Sequence, residues 1–405
     1  MEAYLLDWVN LLLRWAHVIV AIAWIGSSFY FVFLDNSLTK PEAPDLKAKG
    51  VDGELWAVHG GGFYNPQKYM VAPQQLPKNL HWFYWESYST WLTGFALFTV
   101  MYLYQAGTFL IDKNLHDWTP AAAVATALAF LVVFWLAYDA VCRVFGQREG
   151  GDRIVGLAVT LIVVFASWLA CQLFAGRAAF LLVGAMMATA MSANVFFWII
   201  PGQRTVMAQM KAGQPVDPVH GQRAKQRSVH NTYFTLPVLL AMLSNHYGWL
   251  YSGPHNWVTL VAVMLAGALI RHSFVARHKA LTLGQRVPWE FAIAGTVVLL
   301  GMMVALKPQP SPAATAAGTA AAPPPTFEAV QAVVQQRCVS CHNAQVASKN
   351  VAMHESALIT AQAQNIYQQT AVLKAMPMNN ATQITEDERL LIKRWFEAGA
   401  PGPVR

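Results

Sequence analysis

The feature that most constrains this chain is the stretch WVNLLLRWAHVIVAIAWIGSSFYFVFL, residues 8–34, whose only formal charge is Arg14. A hydrocarbon core about 30 Å thick is crossed by roughly 20 apolar residues of helix, so this run is long enough to span a bilayer. Comparable runs recur near 82–104, 120–142, 154–175, 178–200, 229–251, 255–275 and 289–306. The pattern predicts an all-α fold, with an integral membrane bundle of eight transmembrane helices over residues 1–306. Composition agrees: 55% of residues are hydrophobic and 12% charged, about half the charged share of a soluble domain. The opening MEAYLLDWVN lacks a cationic leader and runs into a span too long for a signal-peptide core. The first helix is therefore expected to be retained.

Lysine and arginine bias decides which side each loop faces. Lys40, Lys47, Lys49, Lys68 and Lys78 follow span one, and Arg143, Arg148 and Arg153 follow span three. Arg204, Lys211, Arg223, Lys225 and Arg227 follow span five, and Arg277, Lys279 and Arg286 follow span seven. The alternate loops hold only Lys113 and Arg177. The basic loops are expected in the cytoplasm, which makes a multi-pass protein of a bacterial inner membrane with both termini periplasmic. The net charge of +7 then reflects topology, since no basic stripe with interleaved aromatics marks a nucleic-acid surface.

After span eight the chain changes character. KPQPSPAATAAGTAAAPPP, residues 307–325, has the Pro/Ala richness of a semi-extended tether, with a reach of roughly 55 Å at about 3.1 Å per residue. Residues 326–405 form a small separate domain that opens on the amphipathic FEAVQAVVQQRC. It closes on ITEDERLLIKRWFEAGAP, where Thr385 and Glu388 make a capping box, Gly399 suits the position after the helix, and Leu391 and Trp395 share a face.

The informative cysteines lie in this domain. Cys338, Cys341 and His342 spell C-x-x-C-H, in which two thiols reach the vinyl groups of one porphyrin and the next residue offers its imidazole to the iron. A zinc site is the alternative, but zinc takes four ligands and no second Cys/His pair follows in the tail. The segment resembles the small class I cytochromes c, in which a Met-Pro pair carries the axial methionine. That resemblance implies Met376 as the sixth ligand, with Met378 as the alternative and Met353 lacking the context. Cys142 and Cys171 sit in apolar runs and read as small buried hydrophobes.

Ionisable residues inside spans are costly and are functional candidates by default. His81, Glu86, Asp139, His230, Arg271, His272 and Glu290 are expected near the inner face, where several of them could equally only mark the interface. Of these, Glu86, His81, His230 and Arg271 are the catalytic candidates. His17 and His246 lie towards the outer side and either hydrogen-bond across helices or ligate a haem b. A haem b there would relay electrons across a bilayer too thick for one hop. The loop from Gly53 to Trp91 packs glycines and aromatics and suits either a planar polar substrate or the membrane interface. HGGG at 59–62 has the form of an esterase oxyanion loop, but no G-x-S-x-G elbow accompanies it.

Taken together, LLLRWAHVIVAIAWIGSSFYFVFLDNSL, VDGELWAVHGGGFYNPQKY, LHWFYWESYSTWLTGFAL, RSVHNTYFTLPVLLAMLSNHY, CVSCH and AMPMNNAT resemble the membrane-bound, cytochrome c-linked urate oxidases, or urate hydroxylases. The RWAHVIVAIAWIG run is also similar to small membrane oxidoreductases with a haem-ligating histidine in an early helix, which favours His17. The resemblance implies oxidation of urate to 5-hydroxyisourate, with electrons passed to one covalent haem c and on to a soluble cytochrome c or terminal oxidase. On this reading Arg271 neutralises the urate anion and Glu86 or a nearby histidine removes a proton. Two other readings stand beside it. One is an electron-conduit subunit fed by quinol or a partner protein; the other is a urate transporter with an appended redox sensor.

Overall fold

In a computed structural model the chain is mostly helical, and residues 2–69, 73–113, 115–307, 324–348 and 351–403 are described. The expected tether lies outside the described residues over 308–323. The membrane body runs α1 (Glu2–Ser37), α2 (Pro44–Ala48), α3 (Trp85–Phe98), α4 (Ala106–Phe109), α5 (Pro120–Phe145) and α6 (Gly151–Leu173). It continues with α7 (Gly176–Asn194), α8 (Ile200–Lys211), α9 (Pro218–Leu243), α10 (Asn256–Thr282) and α11 (Glu290–Ala305).

Among the described residues, five helices are long and apolar enough to cross a membrane: Tyr4–Ser37, Pro120–Phe145, Gly151–Leu173, Gly176–Lys211 and Asn256–Thr282. The segments near 82–104, 229–251 and 289–306 are largely helical too, but each is shorter or more polar than these five. α3 has 14 residues and runs on into a π-helical turn, Thr99–Leu103. α11 has 16 residues. α9 begins at Pro218, eleven residues before the expected span, and its first half is polar. The early start is capped: the Asp217 carboxylate accepts from the Val219 N–H at 2.9 Å, and Pro218 fills the first helical position. Thr119 and Pro120 open α5 in the same manner.

α7 is the hub: the continuous helix it opens, Gly176–Lys211, has 61% of its most apolar stretch buried, whereas that of α1 has none. Phe180, Leu182 and Met186 of α7 are fully buried with Tyr102, Tyr138 and Phe174. α1 rides outside, packed on α3 and α10, and turns Trp8, Trp15, Ile19 and Ile22 outward, as a lipid-facing helix does. A π-helical turn, Val195–Ile199, joins α7 to α8 without a break.

The long loop after α1 folds into two small hairpins. β1 (Gly53–Glu54) pairs with β4 (Gln67–Lys68), and β2 (Ala57–His59) pairs with β3 (Gly62–Tyr64). Gly60 and Gly61 form the tip with φ of +58° and +81°, a left-handed pair that only glycine adopts cheaply. The glycine run therefore serves a tight turn.

The ends of the bundle are distinct. At one end, Thr282 bonds the Asn36 carbonyl, Gln226 bonds the Gly146 carbonyl and Asp152, and Phe31 meets Phe83 at 4.9 Å. The basic loops gather here. At the other end the Ala175 N–H bonds the Leu110 carbonyl, and Arg14 meets Met101.

The tail has its own core. Its helices are α12 (Phe327–Arg337), the short α13 (Ser356–Ala361) and α14 (Ala363–Tyr367), and α15 (Glu386–Glu397); α12 and α15 are brought together by Phe327 and the fully buried Trp395, with ring centroids 6.4 Å apart. The capping box of Thr385 and Glu388 is formed, and Gly399 follows the helix at φ +91°. The tail packs on the end of the bundle opposite the basic loops. Its Met378–Asn380 turn contacts α4, and a Cβ added to Gly248 would lie 2.7 Å from the Leu373 carbonyl oxygen.

Candidate functional site

Three polar constellations stand out. The first is at the basic-loop end, where α1, α9 and α10 meet. Arg271 of α10 is buried, 8% exposed, with its guanidinium carbon 3.7 Å from the centroid of the Phe29 ring. Among the described residues its Nε and Nη2, the two donors along one edge of the guanidinium plane, have no hydrogen-bond acceptor. An unpaired cation so far from solvent calls for an anion, and two donors in one plane call for a planar one. Next to Arg271 in the chain, the His272 Nδ1 and Tyr233 Oη lie 2.7 Å apart, and the His272 ring meets Phe291 edge-on at 4.5 Å. Glu86 opens α3 with one oxygen, Oε2, buried and without a partner among the described residues, and the other 4.0 Å from Nε2 of the exposed His81.

The second constellation is a closed network between α5, α7 and α9. Asp139 accepts from Arg227 Nη2 and Trp198 Nε1, both at 2.7 Å, and from Arg143 Nε at 2.6 Å. Arg227 also donates to Asn194 Oδ1 at 3.2 Å, and Asn194 donates to Asn231 and Tyr138. His230 Nδ1 lies 2.8 Å from the Tyr138 hydroxyl and 3.9 Å from Cys142 Sγ. The four catalytic candidates therefore divide. His81 and Glu86 are neighbours, Arg271 stands on α10, and His230 belongs to the Asp139 network. Among the described residues no hydrogen bond or ion pair joins His230 or Arg271 to Glu86 or His81.

The third is a cavity of about 290 Å³ between α1, α3, α7 and α9, walled mostly by apolar side chains. His17 lines it near mid-bundle and His246 at the tail end, so the two outer histidines do share one space. Arg14 and Arg177 stand at its rim. The π-helical turn after α3 carries Met101 and Tyr102 into the same wall; such turns are often found at functional sites.

In the tail, Cys338 ends α12, and the amides of Cys341 and His342 both bond its carbonyl, at 3.2 and 3.1 Å. His342 Nδ1 is 2.9 Å from the Val351 carbonyl oxygen. A carbonyl only accepts, so Nδ1 is the donor, and in the neutral ring that leaves the Nε2 lone pair for an iron. Met376 is held at both backbone ends: its N–H bonds the Gln369 carbonyl at 3.0 Å, and its carbonyl accepts from Arg389 Nη1 at 2.9 Å. Met353 is buried in the tail core. Among the described residues no group of three or more His, Cys, Asp and Glu converges, so the C-x-x-C-H motif has no zinc partners there.

A family model described as the urate oxidase N-terminal domain matches residues 3–307. The chain belongs to that family. The match covers the whole membrane body, so the urate oxidase family resides in the bundle that holds Arg271, the Asp139 network and the His17 cavity. Comparison with curated proteins and with solved structures gave no match. The family supports an oxidoreductase with a urate-related reaction.

Sequence reasoning missed several of these residues. Arg227 counts as a loop cation when α9 is started at residue 229, yet it is 3% exposed inside the helix. The Asp217-Pro218 pair is the signal that would have moved the boundary. Asn194, Asn231, Trp198 and Tyr233 carry no motif, and only the packing of α5, α7, α9 and α10 brings them to their partners.

Proposed function

We propose that the protein oxidises urate in its membrane body and passes the electrons to a c-type haem in its tail. One urate monoanion and one water give 5-hydroxyisourate, one proton and two electrons. The observation that carries the substrate side is the unpartnered edge of Arg271. Two parallel N–H donors over an aromatic ring fit the N–C=O edge of a flat purine anion, in a setting where charge-assisted bonds are strong. Glu86, with a buried free oxygen, accepts the proton lost as the purine is oxidised. His81, exposed and beside Glu86, gives that proton a way to solvent.

Cys338 and Cys341 would hold the haem through thioethers, with His342 Nε2 and Met376 Sδ flanking its iron. The His342 tautomer and the two backbone bonds on Met376 support that assignment; the turn at Met378 is instead occupied with α4. Bound there, the haem supplies a one-electron acceptor at the end of the bundle away from the basic loops. Eight spans with the basic loops in the cytoplasm and the tail in the periplasm fit this order. Support comes from the helical character of all eight segments and from the opposite placement of loops and tail. A soluble cytochrome c or a terminal oxidase then takes the electrons one at a time.

Turnover in isotopically labelled water without oxygen, using oxidised cytochrome c as acceptor, tests the reaction. The account expects 5-hydroxyisourate labelled at C5. Unchanged urate with an intact tail haem would instead favour a conduit fed by quinol or a partner protein.

A further inference from the structure

We propose that the cavity between α1, α3, α7 and α9 is the seat of a second, non-covalent iron porphyrin, with His17 Nε2 as an axial ligand. The first support is a fixed tautomer. The Thr93 hydroxyl lies 2.7 Å from the Ser89 carbonyl and 3.2 Å from the Thr90 carbonyl, so its proton is committed to the backbone. His17 Nδ1, 3.1 Å from the same oxygen, must then be the donor. That leaves Nε2 with a free lone pair among apolar walls, which is the arrangement by which a hydrogen bond on one ring nitrogen prepares the other for a metal.

The second support is space. A Cβ added to Gly94 would lie 2.8 Å from His17 Cε1, so the ring can stand against α3 only because residue 94 is glycine. The cavity, about 290 Å³, lies just under the roughly 300–1,000 Å³ of typical ligand pockets, so its walls have to part slightly around a porphyrin. Trp24, Trp91, Phe95 and Phe98 supply flat apolar walls.

The third support is charge. Arg14 donates to Asn10 and Met101, and Arg177 to Asn245. Among the described residues no carboxylate pairs with either guanidinium. Two cations lining an apolar cavity without a carboxylate partner suit a dianionic group, and the two propionates of a haem supply that charge.

Position supplies the role. α1 carries Phe29 under Arg271, Trp24 and His17 in the cavity wall and Arg14 at the rim. His17 is twelve residues from Phe29, about 18 Å along the helix. His246, at the tail-side mouth, is two residues from Gly248, where the tail packs. This inference deepens the urate reading, since each substrate molecule delivers two electrons that cross in one-electron steps to the tail haem. Its test needs no urate.

Purified full-length protein is extracted with acidified acetone, and haem is counted before and after as the pyridine haemochrome. The expected result is one extractable and one covalent haem per chain. His17→Ala should lose the extractable haem and keep the covalent one, which also reports that the chain has folded. Thr93→Val should keep both while raising the potential of the extractable haem, because the imidazole loses its hydrogen-bond acceptor and becomes a weaker donor to iron. Wild-type protein with covalent haem alone, or His17→Ala with both haems retained, would overturn the proposal; recovery of a quinone in place of haem would do the same.

Discussion

Arg227 and Asp139, 88 residues apart in sequence, meet at 2.7 Å between α9 and α5, with both side chains almost wholly buried. Asp139 is also reached by Arg143 and Trp198, so both its oxygens are hydrogen-bonded. Removing Arg227 leaves the buried Asp139 carboxylate with only the largely exposed Arg143 to compensate it. Arg227→Ala is expected to destabilise the bundle by about 3–5 kcal/mol, read as lowered thermal stability in detergent. Adding Asp139→Asn to that variant should recover part of the loss, and Arg143→Ala, at the exposed side, should cost much less.

The Arg271 edge gives a kinetic prediction. Arg271→Gln removes a buried charge-assisted contact worth about 2 kcal/mol or more, so KM for urate should rise roughly 30-fold or further. Arg271→Lys should recover little, because an ammonium cannot present two coplanar donors. Steady-state kinetics with cytochrome c as acceptor checks both variants. A KM within a factor of two of wild type would remove Arg271 from the substrate site.

The tail carries a pH dependence of its own. Burial tends to raise the Glu388 carboxyl, but hydrogen bonds from Arg337 and the Thr385 N–H outweigh it and hold Glu388 below the usual glutamate value. A depressed folded-state pKa contributes stability that is complete above the unfolded value, about 4.3. It is lost as pH falls through the folded value. The tail of the full-length protein should therefore melt at lower temperature as pH drops below that range, followed by its Soret absorbance, and Glu388→Gln should flatten the curve.

For the axial ligand, Met376→Ala should abolish the sulfur-to-iron absorption of the oxidised tail haem, whereas Met378→Ala should leave it in place. The reverse result would move the ligand to Met378 and make the Met376 carbonyl bond from Arg389 purely structural.

Helices and caps were legible where local chemistry decides them. The apolar runs, the Thr385–Glu388 box and the glycine after α15 are written in adjacent residues, and each appears in the fold. The histidines that share the cavity could be suspected from their depth in two spans, since uncharged surroundings make any imidazole conspicuous. The partners could not be read. Thr93 gives no local sign that it fixes the His17 tautomer, and Arg227 looks like any topology-setting cation until Asp217 and Pro218 are seen to start α9 early. His230 stands among the catalytic candidates of the sequence, and its contact with Tyr138 beside the Asp139 network is made by helix packing across long sequence separations.

The most direct test of the central claim is an anaerobic titration of fully oxidised, purified protein with urate, in the absence of any external acceptor, followed by the haem α-bands. The account predicts that the covalent tail haem becomes reduced, that two electrons appear on the protein or its neighbours for each urate consumed, and that 5-hydroxyisourate is formed. Urate that is consumed while the tail haem stays oxidised, or a tail haem that only quinol or another protein can reduce, would contradict it.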